Sequence, residues 1–209
     1  MIATVNVAWY VARAGGLVSF GLLTLAVLAG VLLAGRARLG GWPRFAVEDV
    51  HRFLGLLAGT FLGVHVLGIL ADGYLGLPLS ALVVPGLSSY RPLATALGVV
   101  GAELLLALAV TNRLRGRLAY TTWRRLHMLN FAVWILALAH GITAGTDSDT
   151  SWAITVYLLA SGSVAGACVW RLLRVYRAPG WAVAIWTGTA SIVAAELVLA
   201  LAIGPLARP

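Results

Sequence analysis

Residues 49–71 read DVHRFLGLLAGTFLGVHVLGILA. Beyond Arg52 the stretch carries no Asp, Glu, Lys or Arg, and a helix of about 20 apolar residues is what crosses the hydrocarbon of a bilayer. Five more stretches of this kind lie around it, at about 8–34, 93–112, 123–144, 152–174 and 181–204. Turn-forming segments separate them: Gly40-Gly41-Trp42-Pro43, Pro78 through Pro92, Gly145 through Thr150, and Ala178-Pro179-Gly180. The longest connection, 72–92, is itself rather apolar and is expected on the membrane surface. The expected fold is all-α, a polytopic membrane bundle of six transmembrane helices forming a single domain over 1–209.

Composition excludes the other classes. Of 209 residues 61% are hydrophobic and 11% charged, with mean hydropathy +0.94, too little charge to cover a soluble domain of this size. The net charge of +8 comes from fifteen basic residues, all arginine. They fall in short clusters between apolar runs, the pattern of membrane loops rather than of a solvated nucleic-acid-binding face, so no nucleic-acid partner is expected and membrane lipid is. The lone Cys168 lies in an apolar run with no second cysteine to pair with. The first apolar stretch lacks a basic leader and exceeds a signal-peptide core, so it is expected to be a retained helix.

Arginine placement orients the chain. Arg36, Arg38, Arg44, Arg52, Arg113, Arg115, Arg117, Arg124, Arg125, Arg171, Arg174 and Arg177 fall on one side, and Arg13, Arg91 and Arg208 on the other. The side with twelve is expected to be cytoplasmic, with both termini and Asp72, Asp147 and Asp149 outside.

The four histidines fall in two pairs. His51 and His65 lie fourteen residues apart in the second stretch; His127 and His140 lie thirteen apart in the fourth. Those two helices run in the same direction, so His51 and His127 share the inner level and His65 and His140 the outer. Fourteen residues make nearly four helical turns, which places His51 and His65 on one face about 21 Å apart along the axis. That separation suits two stacked haems, each held by one histidine from each helix. An iron with two histidine ligands has no open position and favours electron transfer over chemistry at the metal. A single intramembrane histidine is more often a hydrogen-bonded packing residue; the matched pairs carry the argument. Thirteen residues on an ideal helix leave the side chains about 140° apart, a gap that supercoiling or a locally tight turn would reduce. Gly55, Gly59 and Gly63 form a stripe on the second helix, to be read as a helix-packing face or as room for a porphyrin against bare backbone.

The stretches His51-Arg52-Phe53-Leu54-Gly55, Ser88-Ser89-Tyr90-Arg91-Pro92, Trp123-Arg124-Arg125-Leu126-His127 and His140-Gly141 resemble the ferric reductase-like transmembrane domain. Ferric reductases, NADPH oxidases and the membrane haem subunit of the bacterial methionine sulfoxide repair system share this domain. The resemblance covers about 8–177. It implies two b-type haems, the inner on His51 and His127 and the outer on His65 and His140. At 181–204, where the flavin and nicotinamide domains of the reductases and oxidases would follow the fifth helix, a sixth apolar helix stands instead. No Gly-rich phosphate loop is seen, so the chain is expected to lack an NAD(P)H domain. It is more similar to the stand-alone haem subunits of a bacterial inner (plasma) membrane.

The resemblance then implies electron transfer from a cytosolic flavin reductase or flavoprotein, which supplies any flavin (FMN or FAD). The acceptor outside would be a protein, ferric iron, a quinone or dioxygen. Arg13 and Arg91 are candidates for outer haem propionates or an anionic acceptor. Arg52, Arg124 and Arg125 are candidates for inner propionates and for docking an acidic flavoprotein. For each arginine the plainer reading is an interfacial residue reaching lipid headgroups. Glu103 and Glu196 are acids in apolar helices, where charge is costly, and are candidates for proton relay or pairing with an arginine. Alternative functions are a haem-binding sensor or assembly subunit without turnover, and a small proton or metal transporter; no broken-helix repeat supports the latter.

Overall fold

Long unbroken apolar runs leave the backbone no partner in lipid but itself, and helices result. The computed structural model describes residues 7–37, 40–72 and 78–203, and their side chains apart from those of 195–197 and 199–203. Arg38 and Arg208 lie outside the described residues, as does the side chain of Glu196. Among the described residues the chain is all-helical: α1 (Val7–Ala34), α2 (Arg44–Asp72), α3 (Pro92–Arg113), α4 (Tyr120–His127), α5 (Asn130–Ala144), α6 (Ser151–Val175) and α7 (Gly180–Ile203). Five lengths are long and apolar enough to cross a membrane: α1, α2, α3, Tyr120–Ala144 and α6. With the apolar α7 they account for the six expected helices. Large apolar side chains face outward along them, Leu56, Leu93 and Leu106 among them, as a lipid-facing surface requires and a water-facing one penalises.

The expected fourth span is one apolar length but two helices. After His127 the ladder tightens: Leu129 N–H donates to Leu126 O at 2.9 Å and Phe131 N–H to Met128 O at 3.1 Å, three-residue steps in place of four. The His127 carbonyl thereby loses its usual donor, and Asn130 Nδ2 takes that place at 2.7 Å. No proline or glycine stands there; an asparagine side chain competing with the backbone makes the break. Each residue wound at three per turn advances about 20° further than in an α-helix. The tight turn therefore rotates His127 and His140 in the direction that closes the gap their spacing leaves.

The chain divides into two compact units, Met1–Phe20 with Leu56–Ala144 and Gly21–Gly55 with Gly145–Pro209. In the first, α3 packs on α5 and the start of α1 packs on the end of α2, where Ser19 Oγ donates to Ala58 O at 2.8 Å. In the second, α6 packs on α7 through small residues, with Gly162 against Ser191 and Gly166 against Ser191 and Thr187. The packing reading of the glycine stripe is corrected here: a Cβ added at Gly55, Gly59 or Gly63 would meet no atom within 4 Å. The close approach of α1 and α2 falls instead at Gly15, where an added Cβ would lie 2.9 Å from the His65 backbone nitrogen, and at Gly68, against Ala12.

The connection after α2 ends in an anchored corner. Leu79, Val83 and Leu87 are exposed there. Tyr90 OH donates to Ala144 O at 3.1 Å and Arg91 Nη1 to Thr143 O at 2.7 Å, supplying donors to carbonyls that the end of α5 leaves unpaired. Arg91 holds a left-handed backbone, φ 39°, ahead of Pro92 at the first turn of α3.

Candidate functional site

Three of the four histidines turn a ring nitrogen onto helix backbone. His65 Nδ1 lies 2.7 Å from Ala12 O, His51 Nδ1 2.8 Å from Ala26 O, and His140 Nδ1 2.8 Å from Ala94 O. A carbonyl only accepts, so Nδ1 carries the proton and donates, leaving the lone pair on Nε2, the tautomer a metal needs. Fourteen residues separate the two histidines on α2, and fourteen separate the alanines that receive them on α1.

In the first unit the rings of His65 and His140 lie with centres 6.3 Å apart and planes at 76°. Two imidazoles bound in line to one metal, each by a bond of about 2 Å, put their centres roughly 6 Å apart. Among the described residues no three of His, Cys, Asp or Glu gather, so a bare ion at this pair would have two protein ligands. A porphyrin brings four nitrogens of its own and needs only the two axial ones. The donor set of the pair fits haem.

His127, the last residue of α4, is held otherwise. Its ring stacks on Trp123 at 5.1 Å and 25°. Its Nδ1 is 3.3 Å from Asn112 Oδ1, which also accepts from Trp123 Nε1 at 3.0 Å. Arg115 covers the Trp123 ring at 4.5 Å. His51 belongs to the second unit and His127 to the first.

Of the arginine candidates, Arg13 lies over the Tyr10 ring at 5.8 Å. Arg91 is bonded to Thr143 O and lies over Tyr90. Arg52 pairs with Asp49 at 3.4 Å on the exposed surface of α2. Arg124 and Arg125 are exposed in the last turn of α4, and Glu103 is exposed on α3. Phe20 and Trp134 stack with centres 6.2 Å apart; both are buried. Trp134 falls seven residues after His127 and six before His140.

Sequence reasoning missed Gly16, Gly30, Gly98, Asn112 and Asn130, all in contact with a candidate histidine. One signal was available: Ala-x-x-x-Gly occurs at Ala12 and again at Ala26, at the spacing of the histidines.

The family model described as ferric reductase like transmembrane component matches residues 15–138, more than half of the chain. No curated protein and no solved structure matches.

Proposed function

We propose, since the chain belongs to the ferric reductase-like transmembrane family, that it carries electrons across the bilayer through two b-type haems. Haem, when bound, supplies reversible one-electron chemistry at iron. The observation that carries the reading is the outer pair: His65 and His140 face one another at 6.3 Å, each with its Nδ1 proton spent on a backbone carbonyl. The inner pair, His51 and His127, rests on their spacing from the outer histidines along the chain and on the resemblance.

The residues' tasks follow from their chemistry. His65 and His140 would hold the iron of a bound haem, and two histidine ligands would leave no open position for substrate, which suits a relay of electrons. The buried Phe20 and Trp134 rings supply polarisable material at the depth midway between the two levels on the fourth span. Exposed arginines at the α3–α4 end, Arg113, Arg115, Arg117, Arg124 and Arg125, suit an acidic flavoprotein donor on the cytoplasmic side. The acceptor is a protein or small oxidant outside, with both termini on that side of a bacterial inner membrane.

The test is a pyridine haemochrome assay with a reduced-minus-oxidised spectrum on purified protein, wild type beside His65→Ala. About two b haems per chain, falling towards one in the variant, is the expected result. A colourless, correctly inserted protein that takes up no haem would sink the reading and favour a transporter. Haem that no reduced flavoprotein reduces would point to a sensor or assembly subunit.

A further inference from the structure

The backbone contact of three histidines repeats in one form. The carbonyl that accepts from His65 belongs to Ala12, and Gly16 stands four residues on; for His51 they are Ala26 and Gly30, and for His140 Ala94 and Gly98. In a helix, residues i and i+4 lie one above the other on the same face. A ring whose edge reaches the carbonyl of residue i therefore lies across residue i+4. A Cβ at Gly98 would stand 2.7 Å from both Nδ1 and Cε1 of His140, at Gly16 2.9 Å from Nδ1 of His65, and at Gly30 3.2 Å from Cε1 of His51. A Cβ at Gly98 or Gly16 forces the imidazole to shift from its place on the carbonyl, and one at Gly30 crowds it by a few tenths of an ångström. Glycine is a poor helix former beside alanine, and each of these three lies inside a helix.

We infer that Gly16, Gly30 and Gly98 are positioning residues, which let the carbonyls of Ala12, Ala26 and Ala94 fix the tautomer and ring plane of His65, His51 and His140. The inference rests on the proposed ligation and names what orients the ligands. Nδ1–H donates to the second lone pair of the alanine carbonyl, which turns Nε2 outward and raises its basicity towards a metal. The device belongs to α1 and α3, two helices that carry no histidine. His127 stands outside it, held by Trp123 and Asn112.

The test compares Gly98→Ala with Gly101→Ala in the purified haem-loaded protein. Both substitutions put alanine on α3, but at Gly101 the new carbon meets only Leu136 Cβ at 3.4 Å, an ordinary contact. The readouts are the low-spin ferric electron paramagnetic resonance signal and the midpoint potential of each haem. Gly98→Ala is expected to convert at least half of one haem's low-spin signal to high-spin and to shift its potential. Gly101→Ala is expected to match wild type. A Gly98→Ala protein with wild-type signal and potential overturns the inference, as does an equal loss in Gly101→Ala. If Gly98→Ala does not accumulate, Gly30→Ala decides, since its closest approach is milder. A partial low- to high-spin shift at normal protein level supports the inference, and an unchanged spectrum overturns it. His140→Ala separates this question from ligation itself. Retention of both haems there sinks the ligand assignment, whereas its loss of one haem with silent glycine variants sinks only the positioning role.

Discussion

His140 and His127 sit thirteen residues apart on one apolar length of chain, yet they are held by opposite means. His140 leans on the backbone of α3, where Ala94 O and Gly98 leave it one position. His127 leans on side chains, Trp123 and Asn112, at the end of a helix that breaks behind it. Backbone in a packed helix cannot move without disturbing its own ladder, whereas side chains change rotamer at small cost. The difference teaches that residues of one type, in one sequence pattern, can be rigid at one level of a membrane and adaptable at the other.

The largest effect comes from deleting each ring. His140→Ala and His127→Ala are each expected to remove about one haem per chain, and added imidazole is expected to restore the site of His127→Ala to a greater extent, measured by haem content after dialysis. Equal rescue of the two variants would erase the contrast between backbone and side-chain support.

A smaller effect belongs to Asn112. Asn112→Leu takes the acceptor from both His127 Nδ1 and Trp123 Nε1. Removing such an outer partner typically weakens metal binding about 10–100-fold. The expected result is loosened haem at the His127 level alone, read by haem transfer to an apo-globin trap, with the His65 and His140 level unchanged. Loss at both levels would mean that Asn112 supports the fold rather than one ligand.

The smallest effect is at Trp123. Trp123→Phe keeps an aromatic face for His127 and Arg115 but deletes the Nε1–H bond to Asn112. A net hydrogen bond contributes about 0.5–1.5 kcal/mol, so a small drop in thermal stability is expected, with haem content intact. Complete haem loss would show that the indole does more than stack.

Much of this was legible in the residues. Six apolar lengths predict six helices, and the observed ends fall within a few residues of the expected ones except at α2, which begins at Arg44 rather than near 49. Hydropathy is local information, and the bilayer reads it locally. The four histidines also announce themselves, being the only ones present. Glycine was harder to read. Gly55, Gly59 and Gly63 look like a packing stripe and face open space, while Gly16, Gly30 and Gly98 look unremarkable and lie under imidazoles. A glycine's role is set by what stands opposite it, and a single helix carries no record of that. Arg91 illustrates the same point, since its bond to Thr143 spans 52 residues.

The membrane class, the helices and the spacing of the histidines within each span were set by the residues alone, because these depend on apolar length and on the 1.5 Å rise of a helix. Only the tertiary structure decided which carbonyls receive the rings, and so which nitrogen of His51, His65 and His140 carries the proton. It alone also decided that the fourth span breaks after His127. Those outcomes depend on the register of one helix against another and on the competition of Asn130 for a single carbonyl. Such contests are settled by distance in space, which spacing along the chain does not contain.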